Sequence, residues 1–306
     1  MSGFIAKRLL DTLIVVFLAL TAVFAMLRLS GDPITLMLPA DASAEFAADL
    51  RERMGFNEPI WRQYGLFVTN AVQGDFGDSL RFTNTGALTM VLERLPNSLL
   101  LSALSILVAV VVAVPMGVIS SVLANTWVDR TLTVFSVFFQ SMPNFWFGLI
   151  LILYFSVTLG ILPTGGTGGI QHLVLPTITL AAYAAARLQR VTRGSMLEVL
   201  KLDYVRTAHA KGAGFSSLLF KHALKNAMIP VITLTALQFG QMFGSAVIIE
   251  TIFSWPGIGR LIVQSIEFRD FPVVLASVFA ISVVYTLANL LADIAYAAVD
   301  PQIRYT

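Results

Sequence analysis

Three histidines and not one cysteine make up the reactive inventory of this 306-residue chain. Without cysteine there are no disulfides, no thiolate nucleophile and no cysteine-held metal. His172, His209 and His222 form no H-E-x-x-H pair, so no metal site is expected. Ser102, Ser105, Ser136 and Ser282 fall in apolar stretches, but no histidine or lysine stands near them in those stretches to act as a base. They read as helix-packing and backbone-bonding serines, and no catalytic residue is expected. A G-x-x-x-x-G-K-[ST] loop is also missing, so the chain does not cradle ATP phosphates in that way. No cofactor is expected on this chain.

The elements that would position any chemistry are apolar. Hydrophobic residues make up 57% and charged residues 12%, about half the usual charged share. The mean hydropathy is +0.79. At ~20 residues per crossing, six stretches qualify as spans: 9–29, 97–123, 131–157, 173–190, 229–251 and 272–296. The first run, Leu9 to Leu29, is long for a signal segment and lacks a clear cleavage site, so it reads as a retained span. The fourth contains the small-residue run 181–186, which lets helix backbones approach closely inside a bundle.

Charge orients these spans. The segment 187–225 carries eight Lys/Arg against Glu198 and Asp203, whereas 31–95 carries five Arg, no Lys and nine acids. The positive-inside rule places 187–225 and the N-terminus in the cytoplasm. With six spans the C-terminus joins them, and 31–95 becomes an external subdomain with candidate helices at 43–55 and 59–73. Phe56, Ile60, Trp61, Tyr64, Phe67 and Val68 supply its apolar set at near-helical spacing. From Leu95 to Val128, and from Thr131 to Ala186, no Asp, Glu, Lys or Arg occurs. A charge at mid-bilayer costs roughly 2.5–3.5 kcal/mol and marks proton relays and ion sites. Its absence disfavours an ion-coupled secondary carrier, the alternative reading. A pathway without its own energy source needs an engine elsewhere.

The basic segment is where an engine would attach. Asp203 is a candidate N-cap for a short helix at 203–211, which Gly212 and Gly214 would end. A second short helix is expected at about 215–226, leading to Pro230 and the fifth span. Tyr204, Ala208 and Lys211 share one face, and Ala208, Ala210 and Gly212 leave the backbone bare for a partner. A helix pair lying on anionic lipid is the simpler reading, but a docking helix explains the small residues better.

The run Asp203-Tyr-Val-Arg-Thr-Ala-His-Ala-Lys-Gly212, with Lys221-His-Ala-Leu-Lys-Asn-Ala-Met-Ile-Pro230, resembles the coupling loop of ABC importer permeases. More narrowly, the chain resembles the first permease subunit of the dipeptide/oligopeptide family. Gly74-Asp-Phe-Gly-Asp-Ser79, Arg94-Leu-Pro-Asn-Ser98, Pro143-Asn-Phe-Trp146, Glu250 through Arg260, Arg269-Asp-Phe-Pro272 and Asp300-Pro-Gln-Ile-Arg304 extend the likeness along nearly the whole chain. It departs from the wider family's Glu-Ala-Ala at Arg206-Thr-Ala208, and His209 stands where the subfamily often has Arg.

The resemblance implies an all-α integral membrane protein of the bacterial inner membrane. It would have six transmembrane helices in the type I ABC importer permease fold and a small helical external subdomain after the first span. It implies the divisions 1–30, 31–95, 96–298 (a five-span core with coupling loop 191–228) and a cytoplasmic tail at 299–306. Partners would be a second homologous permease, two nucleotide-binding ATPases carrying ATP and Mg, and an external solute-binding protein. The chain would sit in membrane lipid and bind no nucleic acid. Coupling residues would be Asp203, Tyr204, Arg206, Thr207, Ala208, His209, Lys211 and Gly212. Gln140, Asn144, Phe145, Gln238, Gln241 and Met242 are candidates for the pathway wall. Cargo would be di- or oligopeptides, or related small solutes such as glutathione.

Overall fold

The computed structural model describes residues 2–29, 43, 45, 48, 51–52, 57–82 and 84–299. Among them the fold is all helical, with one isolated bridge between Asp78 and Gly86 and no strand. In chain order the helices are α1 (Ser2–Leu29), α2 (Ile60–Val72), α3 (Ala87–Val122), α4 (Trp127–Ser141), α5 (Asn144–Leu151), α6 (Gln171–Val199), α7 (Asp203–Ala210), α8 (Lys225–Ile252), α9 (Ile258–Glu267) and α10 (Phe271–Val299). Two π-helical turns, Ile152–Thr158 and Ser217–Leu224, extend α5 and precede α8. The described residues divide into two compact units, one within 98–255 and 287–299, the other within 2–97 and 256–286.

Among the described residues three helical stretches are long and apolar enough to cross a bilayer: Ala87–Val122, Ser217–Ile252 and Phe271–Ala292. The pair α4–α5 makes a fourth if counted as one span. The expected single crossing at 131–157 is broken by a bend of 103° between its halves. Pro143 is the cause. Its ring disfavours helical geometry in the preceding residue, and Met142 is extended at φ −84°, ψ 131°. The expected fourth span, 173–190, runs on without interruption to Val199. Arg187 therefore lies near the middle of α6 rather than at a span end.

Of the external candidates, the helix expected at 59–73 is α2, which starts behind Pro59. Tyr64 and Phe67 turn toward α1. Phe24 sits 5.3 Å from Tyr64 and 5.4 Å from Phe67, and Thr21 shares a hydrogen bond of 2.6 Å with the Tyr64 hydroxyl. Ile60 and Trp61, expected in the same apolar set, are exposed. Phe56 and most of the helix expected at 43–55 lie outside the described residues; Glu45, Ala48, Arg51 and Glu52 are helical.

The core of the first unit is built on α6. Ala181, Ala184 and Leu188 are buried against Ala109 and Ala113 of α3 and Val231 and Met242 of α8. Small side chains let these backbones close up, most of all at Gly117. A Cβ there would lie 2.5 Å from the Thr192 Cβ and 2.8 Å from the Gln189 carbonyl oxygen. Gly117→Ala must therefore push α3 away from α6, a misfit of about 1–3 kcal/mol. A fall in the thermal midpoint of the detergent-purified protein checks this; an unchanged midpoint would show that the two helices are not locked.

Candidate functional site

The basic loop is a short helix standing on an apolar foot. Leu202 is extended at φ −69°, ψ 146° and occupies the N-cap position of α7. Asp203, expected as the cap, is instead the first helical residue, where a carboxylate complements the helix dipole. It lies 3.8 Å from Arg206, with both side chains largely exposed, so the pair contributes little. Val205 is the anchor. It is buried with Val118 of α3, Met196 and Val199 of α6, and Leu218 and Leu219 of the π-turn. Ala208, one turn on, leans on the same cluster.

The helix ends as its glycine dictates. Gly212 adopts φ +83°. Its N–H donates to the His209 carbonyl at 2.9 Å, and the Ala213 N–H reaches back to Ala208 at 3.1 Å. This is the paired closure of a Schellman motif. Gly214 has no positive φ, so Gly212 alone makes the turn. The second short helix expected at 215–226 is not separate. Its residues run through the π-turn into α8, and Pro230 lies inside that helix without breaking it. Tyr204 ties the halves of the loop together: its hydroxyl donates to the His222 carbonyl at 3.1 Å and accepts from Asn226 Nδ2 at 2.7 Å.

Facing outward are Asp203, Tyr204, Arg206, Thr207, His209, Lys211 and Gly212. Arg206 and His209 edge an open groove of about 490 Å³ floored by Val205, Leu218 and Leu219, with exposed Phe215 beside it. Seven of the eight expected coupling residues are thus exposed, spread around α7 and the turn that ends it. Ala208 is turned half toward the bundle.

Elsewhere in the first unit a buried carboxylate holds a half-buried arginine. Arg193 of α6 grips Asp129 of α4 with two hydrogen bonds, Nε to Oδ1 at 2.6 Å and NH2 to Oδ2 at 2.7 Å. The same carboxylate accepts from the Ser120 hydroxyl of α3 and from the Asn125 N–H, at 2.9 Å, in the turn between α3 and α4. Asn125 holds φ +66° there. One carboxylate therefore joins three helices immediately before α6 passes into the loop.

The candidate pathway residues do not form one set. Met242 and Gln238 are buried in the first unit, and Arg187 donates to Gln238 Oε1 at 3.3 Å. Gln241 is exposed on α8. Phe145 lines a shallow apolar groove at the α4–α5 elbow with Phe138, Pro143 and Trp146, while Gln140 and Asn144 nearby are half-buried. Among the described residues no single groove collects all six. Within the second unit, two stretches singled out in the sequence do meet. Asp270 accepts from the Ser79 hydroxyl and from the Leu80 N–H, and the Arg81 guanidinium lies over the Phe268 ring.

Comparison with known proteins decides what this architecture belongs to. Residues 113–305 match the family described as "Binding-protein-dependent transport system inner membrane component". The chain belongs to that family. It is 40% identical, over the full length of both chains, to the glutathione transport system permease protein GsiC of Escherichia coli (strain K12) and to its counterpart in Shigella dysenteriae serotype 1 (strain Sd197). The fold is similar to that of the MetNI methionine ABC transporter in inward-facing conformations. There the TM-score is 0.57 at 18% identity, with 69% of this chain and 96% of that one covered. An amino acid ABC transporter gives a TM-score of 0.53 at 16% identity, covering 68% and 94%. The family member described here is thus an ABC importer permease, a transport subunit of the inner membrane rather than an enzyme. The ion-coupled carrier gives way to it.

Sequence reasoning missed Val205, Asp129 and Arg193. A signal for the pair was present. Asp129 is the only acid between two long charge-free stretches, and Arg193 follows the second of them.

Proposed function

We propose that this permease forms half of the translocation pathway of an ATP-driven importer for short peptides or glutathione. The observation that carries this reading is the exposed α7, anchored through Val205 on α6, the helix that the Asp129–Arg193 pair ties to α3 and α4. A platform of that kind suits a groove on a nucleotide-binding subunit, where ATP and Mg are bound and hydrolysed. Asp203, Tyr204, Arg206, Thr207, His209, Lys211 and Gly212 touch that subunit, with Ala208 spacing the helix from its foot. When two such subunits close, α7 moves and α6 carries the motion into the bundle.

The remaining assignments follow from the same reading. The chain crosses the membrane six times with both ends cytoplasmic. α1, the broken α4–α5 pair and α6 complete the count begun by the three long apolar helices. Segments 1–30, 31–95, 96–298 and 299–306 act as first span, external subdomain, five-span core and tail. A second, homologous permease completes the path, and a solute-binding protein delivers cargo to the external side. The glutathione and methionine named for the relatives and structural neighbours support an amino-acid-derived cargo. Gln140, Asn144, Phe145, Gln238, Gln241 and Met242 line the path in one or other of its states.

Because the chain has no cysteine, the test is direct. Thr207→Cys in the full complex, treated with a short bismaleimide, is expected to form an adduct with a single cysteine engineered in the ATPase groove. The yield should change when ATP and vanadate are added. A Thr207→Cys chain that cross-links to no ATPase, in either state, would remove α7 from the interface.

A further inference from the structure

Between α3, α4, α5 and α6 lies an open apolar groove of about 300 Å³, apart from both the α7 surface and the candidate pathway residues. Met116, Phe135, Phe139, Phe147, Ala182 and Ala185 make its walls. Two polar side chains, Ser136 and Gln189, enter them. Gln189 is 1% exposed, and its Oε1 is held by the Ser136 hydroxyl at 2.7 Å, while its Nε2 has no partner. A buried amide donor left unpaired costs about 1–3 kcal/mol, so this groove is shaped for a guest with an acceptor and a long apolar body.

The surroundings say which guest. On α6, residues four apart share a face, so the row Ile178, Ala182, Ala186 that lines the groove continues to Arg190 at its rim. Arg190 is exposed and has no partner among the described residues. On α4 the row of Phe139 and Phe135 continues to Trp127, which is 77% exposed. An exposed tryptophan at the start of α4 and an exposed arginine at the rim of the groove are residue types that membrane interfaces favour. Gln189 lies one residue from Arg190, and Ser136 nine residues from Trp127, about two and a half helical turns. The donor therefore sits within one residue of the cationic rim, close enough for one lipid to offer its phosphate to Arg190 and an ester carbonyl to Gln189, while the groove continues along α6 to Ile178. A zwitterionic peptide finds no paired charges here.

We infer that this groove is a binding site for an anionic phospholipid. One acyl chain lies along the alanine face of α6, an ester carbonyl accepts from Gln189 Nε2, and the phosphate meets Arg190. The site does not depend on the cargo or on the coupling role of α7.

Native mass spectrometry of the intact complex, titrated with dioleoylphosphatidylglycerol, tests this. The wild-type complex is expected to retain the diester lipid about fivefold more tightly than the diether analogue, which lacks the ester carbonyls. Arg190→Gln should remove the preference for phosphatidylglycerol over dioleoylphosphatidylcholine. Ala182→Phe, which fills the groove, should abolish the site in complexes that still assemble. Equal retention of diester and diether lipid by the wild-type complex would overturn the proposal with no variant needed. So would a wild-type lipid count in Ala182→Phe, or a cross-link showing a helix of the second permease seated on Ala182 and Ala185.

Discussion

Asp129→Ala is expected to destabilise the protein by up to about 3–5 kcal/mol, the upper value being the cost of leaving a fully buried charge without its partner. Arg193 would keep its guanidinium close to where the carboxylate had been, only 28% exposed at the side chain. Four hydrogen bonds disappear together, from Arg193 twice, from Ser120 and from Asn125. Removing both partners should hurt less than removing one, because the double variant Asp129→Ala/Arg193→Ala buries no orphan charge. The single variant Arg193→Ala leaves a carboxylate, still held by Ser120 and Asn125, and should fall between. Thermal unfolding of the purified complex, followed by tryptophan fluorescence, ranks the three. A loss below about 1 kcal/mol for Asp129→Ala would put the pair among surface ion pairs of little consequence.

The variant also bears on transport. The carboxylate ties α3, α4 and α6 at the level where α6 enters the loop. Loosening that knot gives α7 freedom to move without moving the bundle. Asp129→Ala complexes that still assemble should hydrolyse ATP with less uptake per ATP than the wild type.

Much of this was legible in the sequence, and the reasons are particular. The short α7 and its end were readable because Gly212 is a local signal: a left-handed residue closing a helix depends on its nearest neighbours alone. The helix of α2 was readable from Pro59 and near-helical apolar spacing. The break at Pro143 was not read, although proline and the residue before it carry that information. In a stretch of continuous apolar residues hydropathy drowned the signal, since a window of ~19 residues sees composition and not a bend. The length of α6 was missed for the opposite reason. Arg187, Arg190 and Arg193 lowered the hydropathy and suggested an exit from the membrane, but a helix does not end at arginine, and Arg193 has a buried partner to receive it. The foot of α7 was hidden because Val205 packs on residues from α3, α6 and the π-turn, which only the tertiary structure brings together. Ser79 and Asp270 lay in segments already singled out. Nothing in their spacing, 191 residues apart, could have paired them.

Gly212→Val should reduce uptake about tenfold while the complex assembles and expresses as before. The reason is conformational and not steric. Gly212 holds φ +83°, and nothing lies within 4 Å of where its Cβ would be. A left-handed conformation costs an ordinary L-residue roughly 1–2 kcal/mol, and more for a β-branched one. The chain would relieve that strain by unwinding the last turn of α7. His209 and Ala208 would lose the N–H donors from Gly212 and Ala213, and Lys211 would leave the position it holds on the outward surface. The strain argument also predicts an order that a size argument does not. Gly212→Asn should transport nearly as well as wild type, because Asn tolerates the left-handed region. Gly212→Ala, although smaller than Asn, should be worse, and Gly212→Val worst. Uptake by reconstituted complexes, normalised to assembled ATPase, reads the series. If Ala outperforms Asn, bulk at the partner surface controls coupling, and the ATPase approaches the backbone at Gly212 itself. If all three match the wild type, the turn after α7 does not hold the platform, and Val205 beneath it is left as the single fixed point from which α7 can act.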